Sequence, residues 1–226
     1  MPFLERDKVD ERTRNKLDEL IDKSYENYWA KKRLFDIFFA SLILLFFLPL
    51  MIIISIVIVI DDPTAGPFYK QLRCGRHGET FYMYKFRTMK PGADKMLDDL
   101  KDKNEMDGPV FKMKDDPRIT RVGKFLRKVS LDELMQFFNV FKGDMTLVGP
   151  RPPLPEEVKN YTDYQRLRLH VTPGITCTWQ ISKNRNDIPF DDWVEMDLDY
   201  IENRTFKGDI LIMLKTPIVM LSATGR

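Results

Sequence analysis

Between Leu34 and Ile60 the chain is almost wholly apolar, and from Ile37 onward only Ser41 and Ser55 interrupt it. A buried helix of a soluble domain shows a polar side, and this run shows none. At a rise of about 1.5 Å per residue it is long enough to cross a hydrocarbon core of about 30 Å, so a membrane segment is expected. Pro49 falls at its middle, where it removes a backbone donor and kinks a helix. Two geometries are open. A straight crossing with Lys31, Lys32 and Arg33 inside leaves everything after Asp61 outside, and the reverse crossing leaves the basic flank outside, against the positive-inside bias. A bent, re-entrant helix that enters and leaves by one face removes the conflict if the C-terminal part needs a cytosolic substrate, and it keeps Asp36 near the headgroups. Hydropathy alone favours the plain span. The run begins too late to be a signal peptide, and no cleavage pattern follows it.

At 226 residues, the chain has room for this element and one domain of ordinary size. Its 36 Lys and Arg against 34 Asp and Glu leave a net charge of +2, which gives no general case for nucleic-acid binding, so an anion site must come from local clustering. Cys74 and Cys177 lie too far apart in sequence to suggest a disulfide framework and suit a reducing compartment. With His77 and His170 they could supply zinc ligands, but the second pair lacks a finger spacing.

Residues 1–30 are polar and charged, with Leu17, Leu20, Ile21, Tyr25 and Tyr28 as a thin apolar stripe that predicts a surface helix. The membrane helix is expected over 31–61 and a soluble domain over 62–226. In that domain, β-rich stretches on either side of Gly75-Arg76-His77-Gly78 predict a hairpin. The second ends in Lys85-Phe86-Arg87, where a strand would turn both cations to one face, either to clamp a phosphate or simply into solvent. Residues 91–115 are polar and helix-prone. Arg118, Arg121, Lys124, Arg127 and Lys128 then alternate with apolar residues, a pattern open to nucleic acid, anionic lipid or a phosphorylated substrate, nucleic acid being the weakest.

Ser130 followed by Glu133 reads as a capping box opening a helix that carries Leu131, Leu134, Phe138 and Phe141 as core and ends at Gly143. Prolines around Arg151 fix its backbone, which favours a guanidinium held for bidentate phosphate binding over one in a stiff surface loop. Pro173–Gln180 predicts a turn entering an apolar strand or extended piece, and Arg185 lies in a further basic turn. A helix is expected over 190–204, and the apolar Ile210–Leu221 run predicts a core or interfacial helix.

The acidic pair Asp132–Glu133, placed in a first helical turn among these cations, suits a reaction on a phosphorylated substrate at a membrane surface. Mg²⁺ takes one or two carboxylates and fills its shell with water and phosphate, and an ionised carboxylate can attack phosphorus. The same pair can instead be metal ligands alone in a direct displacement, or a capping box in a non-catalytic, membrane-docked scaffold.

The motifs Lys85-Phe86-Arg87-Thr88-Met89, Asp116-Pro117-Arg118-Ile119-Thr120, Leu131-Asp132-Glu133-Leu134, Gly143-Asp144-Met145, Val148-Gly149-Pro150-Arg151-Pro152 and Pro173-Gly174-Ile175-Thr176 resemble, in matching order over about residues 31–224, the bacterial sugar transferases, the monotopic phosphoglycosyl transferases. The resemblance implies an α+β, mostly helical fold: a re-entrant N-terminal membrane helix, a β-hairpin and a compact helical catalytic domain on the cytosolic face of the bacterial inner membrane. It implies transfer of a sugar 1-phosphate from a UDP-sugar to polyprenyl phosphate with release of UMP, the first step of capsule, exopolysaccharide or O-antigen assembly. Asp132 matches the nucleophile that forms a covalent phosphosugar intermediate, and Glu133 its acidic partner, implicated with Mg²⁺. Lys85, Arg87, Arg127 and Arg151 fall in segments used around the phosphates, as does Arg185 more weakly. A homo-oligomer is compatible with this reading, and no nucleic-acid partner is expected. Leu48 before Pro49, Met135 where proline is common, Cys177 where glycine is common, and the longer turn at Lys183-Asn184-Arg185 depart from the family pattern. Only the catalytic part of the larger family architecture is expected here.

Overall fold

The computed structural model describes residues 4–22, 26–93, 95–96, 98–103, 113, 115–182 and 187–222. A short helix α1 (Glu11–Asp22) precedes the long helix α2 (Glu26–Asp61), which therefore starts before the basic flank and runs on through Pro49. The segment Tyr28–Asp61 is long and apolar enough to cross a membrane. Its outward face is apolar: Leu34, Phe38, Leu45, Phe46 and Ile60 are all exposed.

The inward face is a single stripe at helical spacing. Lys32, Asp36, Ala40, Met51, Ile54 and Ile58 are buried, with Leu44 and Phe47 partly so. If α2 is surrounded by lipid, burying its leucines against protein gains little transfer energy, and polar anchors and packing must hold it. Such anchors occur at both ends of the helix. Near the start, Lys32 Nζ reaches Asp209 at 2.7 Å, Arg33 donates to the carbonyls of Val140 and Phe141 at 2.6 and 2.8 Å, and Asp36 accepts from Thr146 Oγ1 and the Leu147 amide. At the end, Asp61 accepts from the Val122 amide and Asp62 pairs with Arg87 at 2.6 Å. Asp36 is thus buried and engaged inside the protein.

The hairpin is present. Strands β1 (Phe68–Cys74) and β2 (Thr80–Phe86) pair antiparallel, with Lys70 opposite Tyr84 and Leu72 opposite Tyr82. His77 and Gly78 take positive φ in the connection. The basic run forms helix α3 (Arg121–Lys128), capped by Thr120, whose hydroxyl accepts from the Gly123 amide at 2.9 Å. Gly123 is required there, since a Cβ would lie 2.1 Å from the Thr88 carbonyl oxygen.

After α3 the structure departs from expectation. Ser130 adopts a left-handed conformation, φ 56°, with no side-chain cap, so the capping box does not form. Leu131–Met135 is a 3₁₀ segment, and helix α4 (Gln136–Lys142) begins only after it. A 3₁₀ turn advances about 120° per residue against about 100° in an α-helix, so the segment rotates the apolar stripe by roughly a quarter turn. Phe138 and Phe141, expected in the core, are accordingly exposed, and Gln136, Asn139 and Val140 are buried instead. Gly143 ends α4 in the left-handed conformation, as expected.

Strand β3 (Thr146–Val148) pairs parallel with β4 (Gly174–Thr176), a second small sheet absent from the sequence-based expectation. Short helices α5 (Pro155–Lys159) and α6 (Asp163–Arg166) lie between them. Helix α7 (Phe190–Asn203) buries Trp193, Val194, Leu198, Tyr200 and Ile201, with Trp193 stacked on Trp179 at 4.1 Å. Helix α8 (Phe206–Ser222) continues through Lys215 and Pro217; it buries Ile212 and leaves Leu211, Leu214 and Ile218 exposed. Leu17 and Leu20 of α1 join the same core as α7, and Arg12 and Lys16 pair with Glu195 and Glu202. The N-terminal helix therefore packs on the soluble body.

Candidate active site

Three local features bring the acidic pair to the hairpin. The left-handed turn at Ser130 ends the basic helix, and the 3₁₀ segment then packs Leu131, Leu134 and Met135 against the buried stripe of α2. Asn139, fully buried on α4, accepts from the Tyr84 amide at 2.9 Å and donates to the Tyr82 carbonyl at 2.7 Å. This clamp fixes β2 beside α4. Lys85 follows Tyr84 directly, and its Nζ donates to Glu133 Oε1 at 2.8 Å.

Asp132 is 5% exposed. Burial pushes its carboxyl above the ordinary aspartate range; Lys85 and Arg127 pull it down and Glu133 pushes it up, for a net rise. For Glu133 burial also acts upward, but Lys85, then Arg151 and a hydrogen bond from Gln136, outweigh it and hold that carboxyl below the usual range. The two adjacent carboxyls therefore differ: Glu133 is ionised and paired, while Asp132 lies among the same cations without a side-chain hydrogen bond from any described residue.

The predicted cations divide. Lys85 touches Glu133, Arg127 at the exposed end of α3 acts on Asp132, and half-buried Arg151 acts on Glu133. The Arg151 backbone is held from three sides: Gly149 N donates to Thr176 O, Gly174 N to Pro150 O, and Cys74 N to Pro153 O. Among the described residues its guanidinium has no hydrogen-bond acceptor and is open to a ligand. Arg87 is different. It is buried, and it donates to the Asp62 carboxylate and to the carbonyls of Asp62, Ala65 and Gly66 at 2.6–3.0 Å. It thus ties β2 to the end of α2, whereas Lys85 engages Glu133. Arg185 lies outside the described residues.

The profile of the family described as "Bacterial sugar transferase" matches residues 27–223. The chain belongs to the bacterial sugar transferase family. It is similar to the galactosyl transferase CpsE of Streptococcus agalactiae, 49% identical over 161 residues, covering 71% of this chain and 36% of that protein. It is similar to the undecaprenyl-phosphate galactose phosphotransferase of Salmonella typhimurium, 44% identical over 86% of this chain and 41% of that protein. With the exopolysaccharide production protein ExoY of Rhizobium meliloti it is 39% identical, over 84% of this chain and 86% of that protein. The chain thus spans well under half the length of the first two and most of the third.

In this member of the family, sequence reasoning passed over the residues that hold the site together. Asn139 looked like an ordinary helix position, and only its spacing on the buried side of α4 could have singled it out. Arg73 and Gln71 alternate along β1 and turn to one side, a period-2 signal that was available. The Asp116-Pro117-Arg118 motif is a local structural pair, with Arg118 and Asp116 both buried and 2.6 Å apart.

Proposed function

We propose that this chain is a membrane-seated phosphoglycosyl transferase that moves a sugar 1-phosphate from a UDP-sugar to undecaprenyl phosphate and initiates exopolysaccharide or related glycoconjugate assembly. The observation that carries the reading is the buried Asp132 carboxyl beside a paired Glu133, with Lys85, Arg127 and Arg151 around them. The galactose phosphotransferase and the UDP-galactose-lipid carrier transferase among its relatives act, by their names, on this class of substrate.

In this reading an Asp132 oxygen attacks the β-phosphorus, the bond from that phosphorus to the bridging oxygen breaks, and UMP departs with the electron pair. A phosphate oxygen of the lipid then attacks the aspartyl phosphosugar and restores the carboxylate. Lys85, Arg127 and Arg151 hold the phosphates in place and offset their charge. The donor set suits Mg²⁺, since no third acidic, His or Cys side chain among the described residues forms a metal group with the pair, and Mg²⁺ needs only one or two carboxylates. When bound, Mg²⁺ would neutralise charge on the diphosphate.

We propose further that α2 is re-entrant, with the catalytic domain on the cytosolic face. A straight helix of its length would reach about 54 Å, well beyond a core of about 30 Å, and both of its ends are tied to one soluble body. Supplying UDP-sugar without lipid tests the chemistry. Wild type should carry a phosphosugar adduct by intact mass, and Asp132→Asn should carry none and release no UMP. Turnover by Asp132→Asn at near wild-type rate would overturn the covalent scheme, and normal turnover with no adduct would point to direct displacement. Protease access to tags at both termini from the same side of inverted vesicles would support the topology; access from opposite sides would refute it.

A further inference from the structure

We propose that Arg73, at the end of β1, is a positioning residue that aims Arg151 at a nucleoside diphosphate and adds buried positive charge behind it. This rests on the function proposed above. Arg73 is 6% exposed. Its Nη1 donates to the Pro152 carbonyl at 3.0 Å, and its Nε and Nη2 donate to Gln71 Oε1 at 3.1 and 2.6 Å. The next residue, Cys74, donates its amide to the Pro153 carbonyl at 2.9 Å. Two consecutive β1 residues therefore grip two consecutive carbonyls just after Arg151, and a rigid β-strand sets where the Arg151 loop lies.

A structural tie alone does not need a charge at this point, because the Cys74 amide already makes the neutral version of it. A buried guanidinium is normally matched by a carboxylate. Of the other buried arginines, Arg87 has Asp62, Arg118 has Asp116 and Arg168 has Asp197, while Arg204 lies over the Tyr28 and Trp29 rings and donates to the Ile201 carbonyl. Arg73 forms no ion pair among the described residues, and burial together with neighbouring Arg151 holds its pKa down to about 10. The acids that act on it are Glu157, which is spent on the Leu154 amide, and Glu133, which is paired with Lys85. Arg73 is buried against the Arg151 loop, the two cations act on one another, and among the described residues neither has an ion-pair partner, so the partner they lack is an anion. A diphosphate supplies more than one negative charge and several acceptor oxygens, which the planar fork of Arg151 can take in bidentate fashion.

The test compares Arg73→Gln and Arg73→Lys with wild type in detergent or nanodiscs. UMP release is measured against UDP-sugar and against polyprenyl phosphate, and thermal melting with and without UDP. Arg73→Gln should raise KM for UDP-sugar about tenfold, leave KM for the lipid phosphate unchanged, and abolish the UDP-induced rise in melting temperature. Arg73→Lys, which keeps the charge but loses the fork, should recover part of both effects. Gln71→Met, which frees Arg73 while keeping its charge, guards against misfolding and should raise KM for UDP-sugar alone by a smaller factor. If Arg73→Gln lowers only the melting temperature, or raises both KM values equally, Arg73 is merely structural and the inference fails. A wild-type protein that neither binds UDP nor releases UMP would overturn the function proposed above as well.

Discussion

Replacing Lys85 by Met removes the cation that acts most strongly on both carboxyls of the acidic pair. The Lys85 and Glu133 side chains are 23% and 27% exposed, so the energy of a fully buried ion pair does not apply. A hydrogen bond to a charged group contributes about 1.5–3 kcal/mol, and partial solvent access places this one at the lower end. About 1.4 kcal/mol is tenfold in an equilibrium constant, so losing this bond to Glu133 changes the proton affinity of the acidic pair by about tenfold. The sign is fixed: removing a cation disfavours the ionised carboxyl, and Asp132, already raised by burial, rises further. The proposed scheme needs Asp132 ionised, so the acid limb of kcat/KM should move up by about one pH unit. That limb belongs to the coupled pair rather than to one residue. UMP release measured across the acid range gives the profile for wild type, Lys85→Met and Lys85→Arg, and Arg should return the limb towards its wild-type position. A limb that stays put or moves down in Lys85→Met would refute the electrostatic account of the site.

Gly123→Ala would set a Cβ 2.1 Å from the Thr88 carbonyl oxygen and push α3 off the strand end. It should lower stability by about 1–3 kcal/mol, read as a drop in melting temperature, with activity falling because Arg127 shifts. Lys32→Met leaves the Asp209 carboxylate buried without its cation and should cost about 3–5 kcal/mol, read by thermal unfolding in detergent, whereas the exposed pair partner Lys159→Met should cost almost nothing. Chelation with EDTA should abolish UMP release and added Mg²⁺ should restore it; undiminished turnover after chelation would remove the metal from the scheme.

The elements that could be read from sequence are those with local signals. The apolar run announced α2 because nothing polar breaks it, and the glycine-bounded turn announced the hairpin. Asp132, Glu133, Lys85 and Arg151 stood out because charges of these types close to prolines, glycines and helix starts suit phosphate chemistry. The failures are tertiary. The Ser130–Glu133 spacing satisfies the capping-box pattern, but the left-handed turn at Ser130 and the 3₁₀ segment override it, and the stripe through Phe138 and Phe141 rotates outward with them. Residue type alone cannot separate Lys85 from Arg87, because the difference is made by Asp62 and the Ala65 and Gly66 carbonyls, which receive the Arg87 guanidinium. The β3–β4 pair was invisible because each strand is only 3 residues long and the chain between them forms other structure.

The same tertiary contacts change how the basic flank of α2 is to be weighed. The positive-inside bias concerns charges that face water and headgroups. Lys32 is buried against Asp209, and Arg33 caps the last carbonyls of α4, where a cation also meets the negative end of the helix. Both are consumed by the fold, so of the basic flank only exposed Lys31 is left to weigh on orientation. The inward stripe of α2 ends on Leu131, Leu134 and Met135, the residues that flank Asp132 and Glu133. Helix α2 is therefore one wall of the acidic pair's own turn, and in the proposed re-entrant arrangement its seat in the bilayer would set the depth of the Asp132 carboxyl. In that proposed arrangement a lipid phosphate at the headgroup level would meet a nucleotide sugar arriving from water at a depth held by the polar anchors at the two ends of α2.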